Sequence, residues 1–291
     1  MGAILLNPIA ITGIRPVLRI IRDFYPVQDL VPTLVLIFGP FDPSGSSSLP
    51  ADAVTCAALG GHALSALTAV HVQDTAGTQE IQVLAPELVD DQARCLLEDM
   101  AVQAIKIGPL YTSETVSVLA QIAADYSHMP LVLHLSALPD ELILDEEDAE
   151  EVLGALFQLL LPQADVVVAE HGQIVRWQTE GVLPADGAAP EQALLELGAQ
   201  WALLSGAPMR MGHGAYFLHG QDNQTFHWPW KPGAVRAGDA DGLLACSLAL
   251  QMARGLPVPA AAEQAVRQAT VGAGRFFQPG MGQRLIHRSW P

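Results

Sequence analysis

From Thr33 onward, short apolar runs alternate with longer amphipathic ones, and no other feature of this chain restricts its fold as much. Apolar runs bounded by turn residues read as buried strands, here Thr33–Gly39, Ser65–Val72, Ala104–Gly108, Pro130–Leu135 and Asp165–Ala169. Between them lie helical patterns at Leu49–Leu59, Pro86–Met100, Ser113–Ala124 and Asp148–Leu161, with a further helical stretch near Ile174. Trp201–Ser205 and Ala215–His219 follow as strands, and Thr225–Trp228 is expected to pair with the second of these. Two helices, about Asp239–Arg254 and Ala260–Phe276, close the chain. Strands joined through helices run parallel, so the expectation is an α/β fold with a mostly parallel sheet and helices on both faces. In such sheets ligands bind beyond the carboxyl ends of the strands, which directs attention to the segments after Phe38, Val72, Ile107, Leu135 and Val168.

Composition narrows the partners. Half of the 291 residues are hydrophobic and only 15% are charged, so a sizeable core is expected. The formal net charge of −17 leaves no basic patch to release counterions, which excludes nucleic acid and an anionic membrane surface as partners. A phosphorylated metabolite remains compatible, because backbone amides can hold it. Cys56, Cys95 and Cys246 are odd in number and widely spaced, which fits a reducing cytoplasm. Residues 1–32 are apolar but are broken by Pro8, Arg15, Pro16, Arg19, Arg22 and Asp23, too often for a membrane span. They read as an N-terminal extension that packs on a single domain, 33–291, or on a second subunit, so a homodimer is compatible. The eight carboxylates between Asp140 and Glu151 read as a solvated loop and helix start.

The segment Gly39–Gly77 carries the chemistry. A strand ends in Gly39-Pro40-Phe41-Asp42-Pro43-Ser44-Gly45. A helix then opens with Ala51-Asp52 and ends at Ala58-Leu59-Gly60-Gly61, and the next strand delivers Ser65-Ala66-Leu67-Thr68-Ala69 and Gln73-Asp74-Thr75-Ala76-Gly77. Two carboxylates, a Gly/Ser turn and a side-chain amide make a small polar pocket in apolar surroundings. In order and spacing this segment resembles the hydroxymethylpyrimidine/phosphomethylpyrimidine kinases of thiamine biosynthesis, members of the ribokinase-like superfamily. Echoes continue through Lys106-Ile107-Gly108, Leu161-Pro162-Gln163 and Gly280-Met281-Gly282. The resemblance implies a ribokinase-like three-layer αβα sandwich.

By position, the resemblance assigns Asp52 and Gln73 to hydrogen bonds with an aminopyrimidine, and Gly39 to the close approach of the ring. A glutamine suits that task because its amide offers both a donor and an acceptor. The plain alternative is that Asp52 caps its helix and Gln73 ties a turn. Pro109 stands where the family has Met, which alters the pocket wall. Near the C-terminus, Arg236-Ala237-Gly238-Asp239 resembles the Gly-Ala-Gly-Asp turn of sugar and nucleoside kinases rather than the family's Gly-Thr-Gly-Cys. It implies Asp239 as the catalytic base and the amides around it (Ala237, Gly238, Ala240) as an anion hole. Asp241 adds a charge that opposes phosphate. Gln173, Ser205 and His134 replace the family's magnesium-linked Glu, phosphate-contacting Lys and strand-end Asp, so the nucleotide half is eroded.

The implied activity is ATP-dependent phosphorylation of 4-amino-5-hydroxymethyl-2-methylpyrimidine or its monophosphate, with ATP and Mg2+ as cofactors. A catalytically impaired pyrimidine-binding sensor or partner protein predicts the same fold and pocket, and a kinase for a pyridoxal-type ring is a third reading. His213, His219 and His227 lack the spacing of a zinc site. His71 reads as a hydrogen-bonded structural residue and Trp228-Pro229-Trp230 as a tucked loop.

Overall fold

The computed structural model describes residues 31–137, 146–183, 188–209, 214–230 and 238–289. Residues 1–30 of the N-terminal extension, His213, Arg236 and Ala237 therefore lie outside the described residues, as does the part of the acidic run before Glu146. The elements are β1 (Thr33–Phe41), α1 (Ser48–Ala58), β2 (Gly61–Gln73), β3 (Thr78–Val83), α2 (Pro86–Asp99), β4 (Ala104–Ile107), α3 (Ser113–Asp125) and β5 (Leu131–Leu135). They continue as α4 (Glu146–Ala155), β6 (Val166–Glu170), α5 (His171–Thr179), α6 (Pro190–Glu196), β7 (Trp201–Pro208), β8 (Gly214–Gly220) and β9 (Thr225–Trp230). Last come α7 (Ala240–Ala253), α8 (Val258–Ala273) and the short β10 (Phe276–Phe277) and β11 (Leu285–Ile286).

The nine-stranded sheet has the order β3-β2-β1-β4-β5-β6-β7-β8-β9. Its middle, from β2 to β7, is parallel, while β3 at one edge and β8 and β9 at the other run antiparallel to their neighbours. Side chains alternate across the sheet, and the two faces carry separate cores. Leu36, Phe38, Ile105, Ile107, Leu133 and Val167 pack with α2 to α6. Val35, Ile37, Val132, Val166, Val168 and Leu203 pack with α1, α7 and α8. The outcome is the αβα sandwich expected from the alternation.

Helix α7 is apolar all round, and twelve of its fourteen residues are buried. That pattern suits a helix enclosed between a sheet and other helices rather than one facing water. Alternation also places Lys106 and His134 on the α7 face, in the same rows as Ala104 and Val132. Two polar side chains thus enter an otherwise apolar layer beneath the strand ends.

The differences from the sequence reading have local causes. Thr78–Val83 forms β3, a half-exposed edge strand whose Gln and Glu residues hide its period of two. Strand β2 begins at Gly61, because parallel pairing of Gly61 with Thr33 outweighs the turn character of Gly60-Gly61. The helix over Asp148–Leu161 starts at Glu146 and loosens into a π turn at Leu156–Leu160. Trp228, Pro229 and Trp230 belong to edge strand β9 rather than to a tucked loop, with Trp230 lying over Gly206 and Gly214. Phe276 lies past the last helix, in β10.

Candidate active site

A cleft of about 800 Å³ opens where the carboxyl ends of the parallel strands meet the N-terminus of α7. Its walls come from the serine turn after β1, the end of β2, the segments after β4 and β5, the end of β6, and Gly238–Asp241. The serine turn is organised by Asp42, which is fully buried. The Asp42 carboxylate accepts from Ser44 N and Oγ at 2.8 and 2.6 Å, from Ser46 Oγ at 2.6 Å, and from Ser47 N and Oγ at 3.0 and 2.9 Å. Burial alone would raise its pKa, but these hydrogen bonds together hold it below the ordinary value. The turn therefore presents Ser46–Ser48 to the cleft around a fixed anion.

Asp239 is a strongly perturbed carboxylate on the cleft wall. It stands at the N-cap of α7 in the left-handed region, with φ 59°, and its side chain makes no capping hydrogen bond. Gly242 makes room for it, since a Cβ there would collide with Asp239 Oδ1. Oδ2 pairs with Arg288 NH2 at 3.0 Å. Burial raises the Asp239 pKa, the Arg288 charge pulls it down, and Asp52 and Asp241 push it up again, to about 6. A base with that value is ionised at neutral pH and still holds a proton well.

Arg288 is only 5% exposed and gathers three elements. It donates to Thr55 Oγ1 of α1 at 3.0 Å, to the Ser46 carbonyl at 3.3 Å, and to Asp239 through both Oδ2 and the backbone carbonyl. Sequence reasoning missed this residue, because nothing in an arginine three positions before the last residue signals a long-range partner. The C-terminal segment is also fastened to the loop after β2. Gln283 N–H donates to the Thr75 carbonyl at 2.6 Å, and Gly282 lies so close to that carbonyl that a Cβ would collide with it. The Gly280-Met281-Gly282 echo thus has a steric reason.

The structure brings Gln73, Asp239, Gly238 and Ala240 to the cleft wall, whereas Gly39 and Asp52 are not among the residues that line it. Asp52 is 1% exposed and forms an ion pair with Lys106 at 2.5 Å. It is the fifth residue of α1, so it is not the helix cap. Burial pushes the Lys106 ammonium down, and the Asp52 carboxylate, together with the charges of Cys246 and Asp239, more than restores it. An added Cβ at Gly39 would meet only Leu49 Cγ, at 4.0 Å, so space alone does not require a glycine there. Gly238 corrects the expected anion hole, since its N–H donates to the Arg284 carbonyl at 3.1 Å. Ala240 remains, at the first helical position, where N–H groups lack intrahelical acceptors.

His134 lines the cleft in neutral form, its pKa driven to about 3 by burial and by the Lys106 charge. Gln173 also lines it, and its Oε1 accepts from Arg176 at 2.7 Å. Ser205 is buried in β7, and its Oγ has no partner among the described residues. His71 bridges Gln73 and Tyr111 and so contributes to the cleft as well as to the strand end. The aromatic Tyr111 carried no sequence signal for this place.

The model of the family described as phosphomethylpyrimidine kinase matches residues 42–287. The chain belongs to this family. It is 30% identical over 272 residues to the hydroxymethylpyrimidine/phosphomethylpyrimidine kinase of Streptomyces coelicolor, covering 91% of this chain and 97% of that one. It is 28% identical to the chloroplastic thiamine biosynthetic bifunctional enzyme TH1 of Arabidopsis thaliana, covering 81% of this chain and 45% of that one. An ADP complex of Bacillus subtilis pyridoxal kinase shares its fold with a TM-score of 0.75 at 17% identity, over 88% of this chain and 97% of the other. The family places the chain among phosphotransferases of the hydroxymethylpyrimidine/phosphomethylpyrimidine kinase type, on a ribokinase-like fold. No helix among the described residues is long and apolar enough to cross a membrane.

Proposed function

We propose that this protein transfers a phosphoryl group from ATP to the hydroxymethyl group of 4-amino-5-hydroxymethyl-2-methylpyrimidine, or to its monophosphate, in thiamine biosynthesis. The observation that carries this reading is Asp239, a nearly buried carboxylate with a pKa of about 6 at a helix N-terminus, in the same cleft as Gln73. Gln73 binds the ring. With the hydroxymethyl substrate, Asp239 takes the hydroxyl proton, at the oxygen Oδ1 that Arg288 does not hold, as the hydroxyl oxygen bonds to the γ-phosphorus and the bond from that phosphorus to the departing ADP breaks. The Ala240 amide and the α7 dipole favour the charge on the moving group.

The cofactor fit follows from the chemistry of the walls. The described cleft residues include Glu170, Asp239 and Asp241 and no lysine or arginine. Oxygen donors of this kind suit Mg2+. Glu170, at the end of β6, would hold it. Bound together, ATP supplies the phosphoryl group and Mg2+ the positive charge that these walls lack. Asp241 works against the phosphates, so Asp241→Asn is expected to tighten Mg-ATP binding by about 3- to 10-fold, on the order of 1 kcal/mol. Weaker binding in that variant would make Asp241 a metal ligand and contradict the assignment.

Calorimetry with the pyrimidine tests the ring site. Gln73→Ala should bind it about 5- to 150-fold more weakly, the usual cost of removing a buried hydrogen-bonding partner. Equal affinity in the two proteins would remove Gln73 from the site. A second reading, a pyrimidine-binding protein without turnover, is favoured by His134 and Gln173 at the family's carboxylate positions and by the engaged Gly238 amide.

A further inference from the structure

The Gln73 amide has two faces, and the protein itself occupies one of them. Gln73 Oε1 lies 2.6 Å from Thr78 Oγ1 and 3.0 Å from His71 Nδ1, while His71 Nε2 lies 3.0 Å from the Tyr111 hydroxyl. A separation of 2.6 Å is normal for O–H···O and short for N–H···O. Thr78 therefore donates and the amide oxygen accepts. For the second contact to be a hydrogen bond, His71 must carry its proton on Nδ1. Its Nε2 then accepts from Tyr111 O–H.

Charge and packing fix this direction. Burial lowers the His71 pKa more than Gln73 and the Asp42 charge raise it, and burial drives the Tyr111 hydroxyl well above its ordinary value. Both groups are neutral, and a neutral imidazole has a single N–H to place. His71 and Tyr111 are buried against each other, with ring centroids 5.6 Å apart. Among the described residues the Gln73 amide nitrogen has no partner, and Gln73, His71, Thr78 and Tyr111 all line the cleft.

We propose that Tyr111, His71 and Thr78 form a relay that holds Gln73 as a hydrogen-bond donor only, so that the ring bound here presents an acceptor, an unprotonated ring nitrogen, to Gln73 Nε2. This deepens the pyrimidine reading and rests on it for the identity of the ring. An unrestrained glutamine can turn either face of its amide to a ligand and so discriminates poorly between donor and acceptor. The relay removes that choice. The exocyclic amino group of an aminopyrimidine, a donor, must then point elsewhere, which sets the ring's orientation in the cleft. A site whose polar group is committed to one sense rejects a ring lacking the complementary atom more strongly than a purely apolar wall does. His71, Thr78 and Tyr111 are positioning residues, acting through Gln73.

Two measurements test the relay. Nitrogen-15 NMR of the imidazoles in the ligand-free full chain, assigned with His71→Phe, is expected to show His71 protonated at Nδ1 and bare at Nε2. Calorimetry then compares 4-amino-5-hydroxymethyl-2-methylpyrimidine with two analogues, each having one ring nitrogen replaced by C–H. One analogue should bind the wild type about 10- to 100-fold more weakly than the parent. Gln73→Glu, which keeps acceptors and removes the donor, should lose a similar factor for the parent. A proton on Nε2, or a Gln73→Glu variant that binds the parent as tightly as wild type, overturns the proposal. If the relay shows the expected tautomer and no pyrimidine binds, the choice of ring fails while the relay stands. If the parent binds and the tautomer is reversed, the relay fails while the pyrimidine reading stands.

Discussion

Asp239→Asn is expected to lower phosphoryl transfer by about 10²- to 10⁴-fold while pyrimidine affinity barely moves. Asparagine keeps the shape over Gly242 and an oxygen for Arg288, and it removes the basicity. The pH dependence gives an independent signature. A base must be ionised to accept a proton, and burial has raised this carboxylate to about 6, so turnover should climb as pH rises through that value and level off above it. One unit below, roughly a tenth of the plateau remains. Steady-state rates between pH 5 and 8 on both proteins check this. Retained turnover in Asp239→Asn, or a wild-type acid limb near the ordinary carboxylate value, would contradict the base assignment.

Arg288→Met should be the most destabilising single change at the site. It removes the cation that offsets Asp239 and leaves a nearly buried carboxylate beside the charges of Asp52 and Asp241. Breaking one side of such a pair typically costs about 3–5 kcal/mol, read here from denaturant melts. The hydrogen bonds to Thr55 and to the Ser46 carbonyl go with it, so the serine turn and α7 lose a common anchor. The surviving carboxylate should also titrate higher, because the removed charge was lowering its pKa, and the acid limb of turnover should move up in pH. Arg288→Lys restores the charge but not the several directed N–H donors, so it should recover the pH limb better than the stability. A variant as stable as wild type would show that the contacts contribute little.

The fold was legible in the chain because the buried parallel strands are nearly pure apolar runs, as in Thr33–Phe38 and Val166–Ala169, which cannot be satisfied at a surface. The edge strand Thr78–Val83 was not, since a half-exposed strand needs no such run. Gln73 and Asp239 were legible because motif spacing delivers them to strand and helix ends. Asp52 shows the limit of that reasoning. Its position in the motif is clear, but only the fold shows that Lys106, fifty-four residues on, reaches it from β4 and pairs with it in the interior. Arg288 and Tyr111 act over 49 and 40 residues of separation, on Asp239 and His71, and no local pattern encodes such meetings. The engaged Gly238 amide is of the same kind, because its acceptor, Arg284, arrives from beyond α8.

Phosphoryl transfer to a hydroxymethylated aminopyrimidine can be read from phosphorus-31 NMR of one reaction mixture. The purified chain is incubated with Mg-ATP and 4-amino-5-hydroxymethyl-2-methylpyrimidine, and in a parallel tube with its monophosphate. A new phosphoester resonance is expected from the hydroxymethyl substrate, stoichiometric with ADP and missing in Asp239→Asn, and a new diphosphate signal from the monophosphate. Tight binding of the pyrimidine with neither a phosphoester nor a diphosphate formed would contradict phosphoryl transfer and leave a binding protein built on a kinase fold.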